Sequence, residues 1–177
     1  LGAPEQSVSF TVPTGNFGDI YAGFVAKKMG LPINRLVIAT NENDILARTL
    51  ETGDHKLGSV KPTNTPSMDI QISSNFERLL FDAAGRDHAL VRDLMIALRD
   101  SRRYRLPDKM LQFIRDSFDA DAVSEIETQE EVARIWKEAG YLADPHTAID
   151  VMVARDHADP DVPTITLSTA HPAKFCE

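Results

Sequence analysis

The feature that most constrains the fold is a strand-like run that ends in a glycine-containing loop and continues as an amphipathic helix. Residues 8–13 read Val-Ser-Phe-Thr-Val-Pro, the loop reads Thr-Gly-Asn-Phe-Gly-Asp, and apolar residues then recur at helical spacing up to Met29. A helix that begins in such a loop presents unpaired N–H groups and the positive end of its dipole, which favours a bound anion, most often a phosphate. The alternative is that Gly15 and Gly18 only permit a tight turn, and the loop alone does not decide between the two.

Composition limits the function classes to which the chain can belong. Its 177 residues, of which 42% are hydrophobic and 26% charged, fit one soluble globular domain. The formal net charge of −8 disfavours a nucleic acid or an anionic membrane as a partner, because like charges repel. No apolar run approaches the roughly 20 residues that a membrane-spanning helix needs. The single cysteine, Cys176, excludes an internal disulfide framework, so we expect a reducing, cytoplasmic setting.

A second strand completes a parallel unit with the first. Residues 35–40 are mostly apolar, so a right-handed βαβ unit is predicted over residues 7–40, and a final strand is predicted at residues 163–169. We therefore predict an α/β fold, with a parallel sheet between flanking helices in three layers (αβα). The strands at about 7–12, 35–40 and 163–168 are expected in this one sheet, with the C-terminal ends of the first and the last close together.

The stretch between these strands is predicted to be mostly helical. Apolar residues at helical spacing run over residues 75–160, and residues 75–120 form a helix-rich insertion. One helix is predicted at about residues 107–118. A capping box is predicted at residues 128–131, with a threonine as the N-cap, and a further helix is predicted to begin after Asp144.

Short motifs that identify a catalytic class are missing from the sequence. The five histidines show no metal-ligand spacing, so no metal site is predicted, and no Gly-x-Ser-x-Gly motif is present. The loop at Gly15 is not a P-loop, because no Lys-Ser/Thr pair follows its second glycine. It is not a dinucleotide fingerprint either, because the next glycine after Gly18 is Gly23. The residues by themselves therefore indicate an α/β domain with a phosphate-accepting loop.

Five blocks of sequence, in order along the chain, resemble the threonine synthase family. They read PTGNFGD, ATNEND, SMDIQISSNFER, DPHTA and STAHPAKF, at residues 13–19, 39–44, 67–78, 144–148 and 168–175. Together they are far more specific than the Gly-Asn-Phe-Gly loop alone. They are most similar to the longer bacterial and fungal branch of the family.

The resemblance implies a pyridoxal 5′-phosphate enzyme of the tryptophan-synthase-like fold. Its reaction would convert O-phospho-L-homoserine and water to L-threonine and phosphate, with the cofactor acting as an electron sink. The resemblance also implies that the cofactor phosphate is bound by the backbone of Gly15, Asn16, Phe17, Gly18 and Asp19. Thr169 would place its hydroxyl next to the pyridine nitrogen, with Ser168 as a competing choice.

The same resemblance implies that the covalent anchor of the cofactor lies outside this chain. The family's Schiff-base lysine stands in a Phe-Lys-Asp context in the N-terminal half of the enzyme, and none of the seven lysines here has that context. We therefore expect no catalytic residue in this chain, and a fragment that needs its own N-terminal half as a partner and is inactive alone. Two alternatives stay open. One is a related lyase with the same cofactor, such as a threonine dehydratase or a phospholyase, and the other is a non-catalytic phosphate- or nucleotide-binding module.

Overall fold

The computed structural model describes residues 5–175 and shows a parallel sheet between layers of helices. Its elements in chain order are β1 (Val8–Pro13), α1 (Gly18–Lys28), β2 (Ile33–Thr40), α2 (Ile45–Thr52), β3 (Asp54–Lys56), α3 (Phe76–Ala83), α4 (His88–Ser101), β4 (Arg103–Arg105), α5 (Asp108–Arg115), β5 (Phe118–Ala122), α6 (Glu125–Ala139), α7 (Pro145–Asp156) and β6 (Thr164–Thr166). Two short 3₁₀ turns, Pro66–Met68 and Pro172–Lys174, complete the architecture. The α/β fold predicted from the sequence is confirmed.

Four strands form the main sheet, in the order β5-β2-β1-β6, and every neighbouring pair is parallel. The three strands predicted to share one sheet are therefore together. Because β1 lies between β2 and β6, the loop at its C-terminal end is flanked by the ends of both neighbours. Thr11 of β1 stands opposite Thr166 of β6, so the segment that follows β6 reaches the same edge of the sheet.

Both faces of the sheet are buried, as the alternation along β2 shows. Leu36 and Ile38 belong to the core that packs against α1, α2, α3 and α5. Val37 and Ala39 point to the opposite face, into a smaller core shared with α7. Helix α6 packs in turn against α7. None of the helices in the described part of the chain is long and apolar enough to cross a membrane.

The helix predicted at residues 107–118 is shorter than expected, and a strand follows it. α5 ends at Arg115, and β5 begins at Phe118 and pairs with β2 at the edge of the sheet. Phe118 is buried in the core, whereas Asp119 forms an ion pair with Arg35 of β2. Aspartate disfavours strands, so the pairing with β2, and not local propensity, determines this strand. The two-stranded antiparallel sheet of β3 and β4 was not predicted from the sequence either.

The capping box predicted at residues 128–131 is wrong by four residues. Ser124 is the N-cap of α6, and it exchanges hydrogen bonds with Glu127, side chain to backbone in both directions. Thr128 lies inside the helix, where its hydroxyl donates to the Ser124 carbonyl at 2.8 Å. Glu131 is buried and lies 3.3 Å from Arg155 of α7, so it links the two helices. Ser-x-x-Glu and Thr-x-x-Glu both satisfy the motif, so the motif alone does not fix the start of the helix.

Candidate functional site

The glycine-containing loop continues β1 and is held by a buried aromatic ring. Thr14 extends the ladder, since its N–H donates to the Ala39 carbonyl at 2.8 Å. Phe17, the last residue before α1, adopts φ 70° and ψ 15° in the left-handed region. Its ring is buried, with centroids 5.1 Å from Phe76 and 5.7 Å from Phe118. This packing stabilises a backbone conformation that is uncommon for residues other than glycine.

Most backbone donors of the loop are unpaired. Within residues 5–175, no acceptor forms a hydrogen bond with the N–H of Gly15, Asn16, Phe17 or Asp19. The N–H of Gly18 differs, because it donates to Asn16 Oδ1 at 3.1 Å. Four of the five N–H groups predicted to bind a phosphate are therefore available to a ligand, and the fifth is satisfied inside the loop.

Two residues of the segment before α3 hold the carbonyl groups of the loop. The Ser73 hydroxyl donates to the Gly15 carbonyl at 2.7 Å, and both the N–H and the side-chain amide of Asn75 donate to the Asn16 carbonyl at 3.0 Å. In a trans peptide, the carbonyl and the N–H of the next residue point in opposite directions. These hydrogen bonds therefore direct the N–H groups of Asn16 and Phe17 away from Ser73 and Asn75. Ser73 and Asn75 belong to one of the five sequence blocks, but no local pattern predicted a role for either.

The two loop glycines differ in how tightly they are packed. A Cβ atom added at Gly15 would lie 2.2 Å from the Ser67 carbonyl oxygen, which is backbone and cannot move aside cheaply. A Cβ atom added at Gly18 would lie 3.2 Å from Asn16 Oδ1 and 3.5 Å from Asn75 Nδ2, both of which belong to side chains. Glycine is thus required most strictly at Gly15, where the loop packs on the turn at Pro66–Met68.

The loop and the C-terminal segment line one cleft of about 240 Å³. Gly15, Asn16 and Asp19 line it from the loop, and Thr169 and Lys174 line it from the C-terminal segment. The structure therefore brings the predicted phosphate loop and the predicted partner of the pyridine nitrogen into one cleft. Phe17 and Gly18, the other two predicted residues, do not line this cleft. They line a smaller cavity of about 60 Å³, which is formed by residues 12–20 and therefore also includes Gly15, Asn16 and Asp19.

The two candidate hydroxyls at the end of β6 are in different surroundings. The Ser168 hydroxyl lies 3.3 Å from the hydroxyl of Tyr141 and 3.3 Å from that of Thr147, whereas Thr169 is the one that lines the cleft. The strand end is held from α7, because Asp150 accepts a hydrogen bond from the Leu167 N–H at 2.9 Å. Of the two residues, only Thr169 is therefore placed at the cleft, and its role there stays a prediction.

A buried histidine lies in the cleft wall, although the sequence had suggested no role for it, because the five histidines were considered only as metal ligands. His146, at the start of α7, is 3% exposed and lines the cleft. Its Nδ1 lies 3.0 Å from Asp144 Oδ1, and Asp144 is the N-cap of α7, as predicted. Burial lowers the pKa of His146, and the neighbouring Asp144 partly opposes this effect. The only sequence signal for His146 was its place in the Asp-Pro-His-Thr-Ala block.

Lys174 also lines the cleft and had no role predicted from the sequence. It is exposed and lines the same cleft as Asp19, so it contributes a positive charge there. In the part of the chain that the structure describes, no group of three or more histidine, cysteine, aspartate or glutamate residues is placed to hold a metal ion. The cleft therefore offers backbone donors, the side chains of Ser67 and Thr169, an imidazole, an ammonium group and the carboxylate of Asp19 as its chemistry.

Similarity to known proteins extends over the whole chain. The family model described as threonine synthase, C-terminal, matches residues 147–177. A threonine synthase of Pseudomonas aeruginosa is 48% identical over 178 residues, which cover 100% of this chain and 38% of that protein. This chain belongs to the threonine synthase family. It spans about 38% of the length of this relative.

Solved structures agree with the assignment to the threonine synthase family. The crystal structure of a PLP-bound threonine synthase from Brucella melitensis matches with a TM-score of 0.97 and 57% identity, over 98% of this chain and 38% of that one. The crystal structure of a T.th. threonine deaminase matches with a TM-score of 0.55 and 15% identity, over 93% of this chain and 48% of that one. At 15% identity, the second likeness shows the fold alone.

Proposed function

We propose that the full-length protein is a pyridoxal 5′-phosphate-dependent threonine synthase that converts O-phospho-L-homoserine and water to L-threonine and inorganic phosphate. The observation that carries this proposal is the cleft in which a loop with unpaired N–H groups lies together with Thr169. The 48% identity to a threonine synthase over the whole chain supports it. The activity is assigned to the full-length protein, because the chain spans only about 38% of that relative.

The loop suits the phosphate group of the cofactor, because it supplies several donors from the backbone at the start of a helix. The N–H groups of Gly15, Asn16 and Phe17 are unpaired within residues 5–175, and the dipole of α1 adds partial positive charge. Asp19 stands in the first turn of α1, so its carboxylate must turn away from a bound phosphate. Lys174 in the same cleft offsets part of that negative charge.

Thr169 suits the pyridine end of the cofactor. A neutral hydroxyl beside the ring nitrogen leaves that nitrogen unprotonated, whereas a carboxylate would favour its protonation. The cofactor, when bound, supplies an electron sink for the carbanions of the reaction. The backbone two residues before Thr169 is held to α7, because Asp150 accepts a hydrogen bond from the Leu167 N–H.

We assign the lysine that carries the cofactor to the part of the full-length protein outside this chain. None of the seven lysines of this chain stands in the Phe-Lys-Asp context of the family. Lys174 is the lysine of this chain that lines the cleft, and we assign it an electrostatic role and not a covalent one.

The experiment that tests the proposal is product analysis with the purified full-length protein and its cofactor. With O-phospho-L-homoserine, we expect equal amounts of phosphate and L-threonine. With L-threonine as the substrate, a threonine dehydratase would instead release a 2-oxo acid and ammonia as its main reaction. Bound cofactor without either reaction would favour a non-catalytic binding module and would overturn the proposal.

A further inference from the structure

The imidazole of His146 is held in one orientation by the cap of its own helix. Asp144 is fully buried, and its Oδ1 accepts from the backbone N–H of His146 and lies 3.0 Å from the ring Nδ1. Its other oxygen accepts the Thr147 hydroxyl. A carboxylate has no proton to donate, so the bond to Nδ1 requires the Nδ1–H tautomer of the ring. The lone pair of the neutral ring is therefore on Nε2.

The Nε2 atom of His146 lacks a partner. It is buried, and within residues 5–175 no group forms a hydrogen bond with it. Buried polar atoms in folded proteins are nearly always paired, so an unpaired one needs an explanation, such as a ligand that completes it. The ring lies in the wall of the same cleft as Gly15, Asn16 and Thr169.

The charges around the ring keep this nitrogen an acceptor. Burial lowers the pKa of His146 and is the largest influence on it. Asp144 and Asp69 act in the opposite direction, and Lys174 in the cleft acts in the same direction as burial. The balance favours the neutral ring near pH 7, in which Nε2 accepts hydrogen bonds and does not donate them.

We propose that His146 contacts the amino-acid ligand in the cleft directly, with Nε2 as the acceptor for an N–H or O–H group of that ligand. The inference rests on the proposed function, which supplies a ligand with amino and hydroxyl donors. Since Nε2 is buried, the ligand reaches it only if a neighbouring group moves aside. The half-buried ring of Phe175, which lies in the same wall with its centroid 4.7 Å from the imidazole, is the group that we expect to move.

The test compares two variants, each of which keeps a hydrogen-bonding group at the position of only one of the two ring nitrogens. His146→Gln places an amide near the position of Nε2, whereas His146→Asn places one near Nδ1, where it can still reach Asp144. In the full-length protein with its cofactor, binding of L-threonine is titrated by the change in cofactor absorbance, and kcat and KM are measured with O-phospho-L-homoserine. His157→Asn is the matched control, because His157 caps the other end of α7 and pairs with Asp121 outside the cleft.

We expect His146→Asn to bind L-threonine about tenfold more weakly, as loss of one buried hydrogen bond predicts. We expect His146→Gln to stay within about threefold of the original protein, and His157→Asn to be unchanged. Equal affinity in both His146 variants, or an equal loss in both accompanied by a lowered melting temperature, would show a structural role and overturn the proposal. The original protein is the separate test of the proposed function, since it must release phosphate whatever the variants do.

Discussion

At the scale of single residues, Gly15 is the loop glycine that is least able to accept a side chain. Its missing side chain lets the loop approach the backbone of Ser67, and a Cβ atom would stand 2.2 Å from the Ser67 carbonyl oxygen. Gly15 is not among the residues with positive φ, so close packing and not backbone freedom is what requires glycine there.

We therefore expect Gly15→Ala in the full-length protein to weaken retention of pyridoxal 5′-phosphate by about tenfold or more, because overpacking against backbone costs about 1–3 kcal/mol. Gly18→Ala is the matched control, since its new Cβ would meet only side-chain atoms at 3.2 and 3.5 Å. Equilibrium dialysis of the cofactor measures both. A larger loss in Gly18→Ala than in Gly15→Ala would contradict this reading of the loop.

We expect a second residue, Asp150, to make the stability of the fold depend on pH. Burial raises its pKa to about 8, and the hydrogen bond from the Leu167 N–H opposes this rise only in part. Within the described part of the chain, its Oδ1 has no hydrogen-bond partner. Because the folded-state pKa lies above the unfolded value, the stabilising effect is complete below about pH 4 and is lost as the pH rises toward 8.

We expect Asp150→Asn to remove this pH dependence, which is on the order of a few kcal/mol in the free energy of unfolding. Denaturant midpoints of the full-length protein at pH 5 and pH 8 measure the effect. The variant should gain stability relative to the original protein as the pH rises. Midpoints that change in parallel for the two proteins would mean that Asp150 is ionised in the folded state at both pH values.

At the scale of elements, the segment before α3 positions the loop before α1. Ser73 and Asn75 donate three hydrogen bonds to the carbonyls of Gly15 and Asn16, and this orients the N–H groups on the far side of the same peptides. Loss of a carbonyl anchor should therefore affect recognition of the phosphate more than recognition of the ring.

We expect Ser73→Ala to weaken binding of pyridoxal 5′-phosphate about fivefold, the usual effect of one hydrogen bond, while binding of pyridoxal, which lacks the phosphate, changes little. Ser74→Ala is the control, because Ser74 is the exposed neighbour. Ser73→Thr, which keeps the hydroxyl, should restore the affinity. An equal loss for both compounds would indicate general loosening of the cleft.

At the scale of the whole molecule, the proposed cofactor site has one of its sides in this chain. The phosphate loop, Thr169 and His146 all lie at the C-terminal edge of one parallel sheet, which is where open α/β sheets bind their ligands. The chain spans about 38% of its threonine synthase relative.

We expect the isolated 177-residue chain to release no phosphate from O-phospho-L-homoserine, because no lysine in it has the context of the cofactor-bearing one. Supplying the remaining part of the protein in trans should restore phosphate release. Lys174→Ala is the decisive variant, since Lys174 lines the cleft. Steady turnover by the isolated chain that Lys174→Ala abolishes would show that the catalytic lysine is in this chain after all.

The sequence by itself determined the elements whose signal is local. The alternation in β1, the apolar run of β2 and the cap at Asp144 each predicted an element that the structure contains, because backbone geometry and burial fix these patterns over a few residues. The parallel sheet followed from the same patterns, since two neighbouring strands joined by a helical crossover run parallel.

The tertiary structure decided what depends on distant partners. β5 forms because it pairs with β2, and the N-cap of α6 is Ser124 although Thr128 satisfies the same motif. The hydrogen bond from Ser73 to the Gly15 carbonyl and the orientation of His146 depend on contacts that no local sequence pattern encodes. Propensity and spacing act over a few residues, whereas the geometry of the cleft arises from segments more than a hundred residues apart that only the folded sheet brings together.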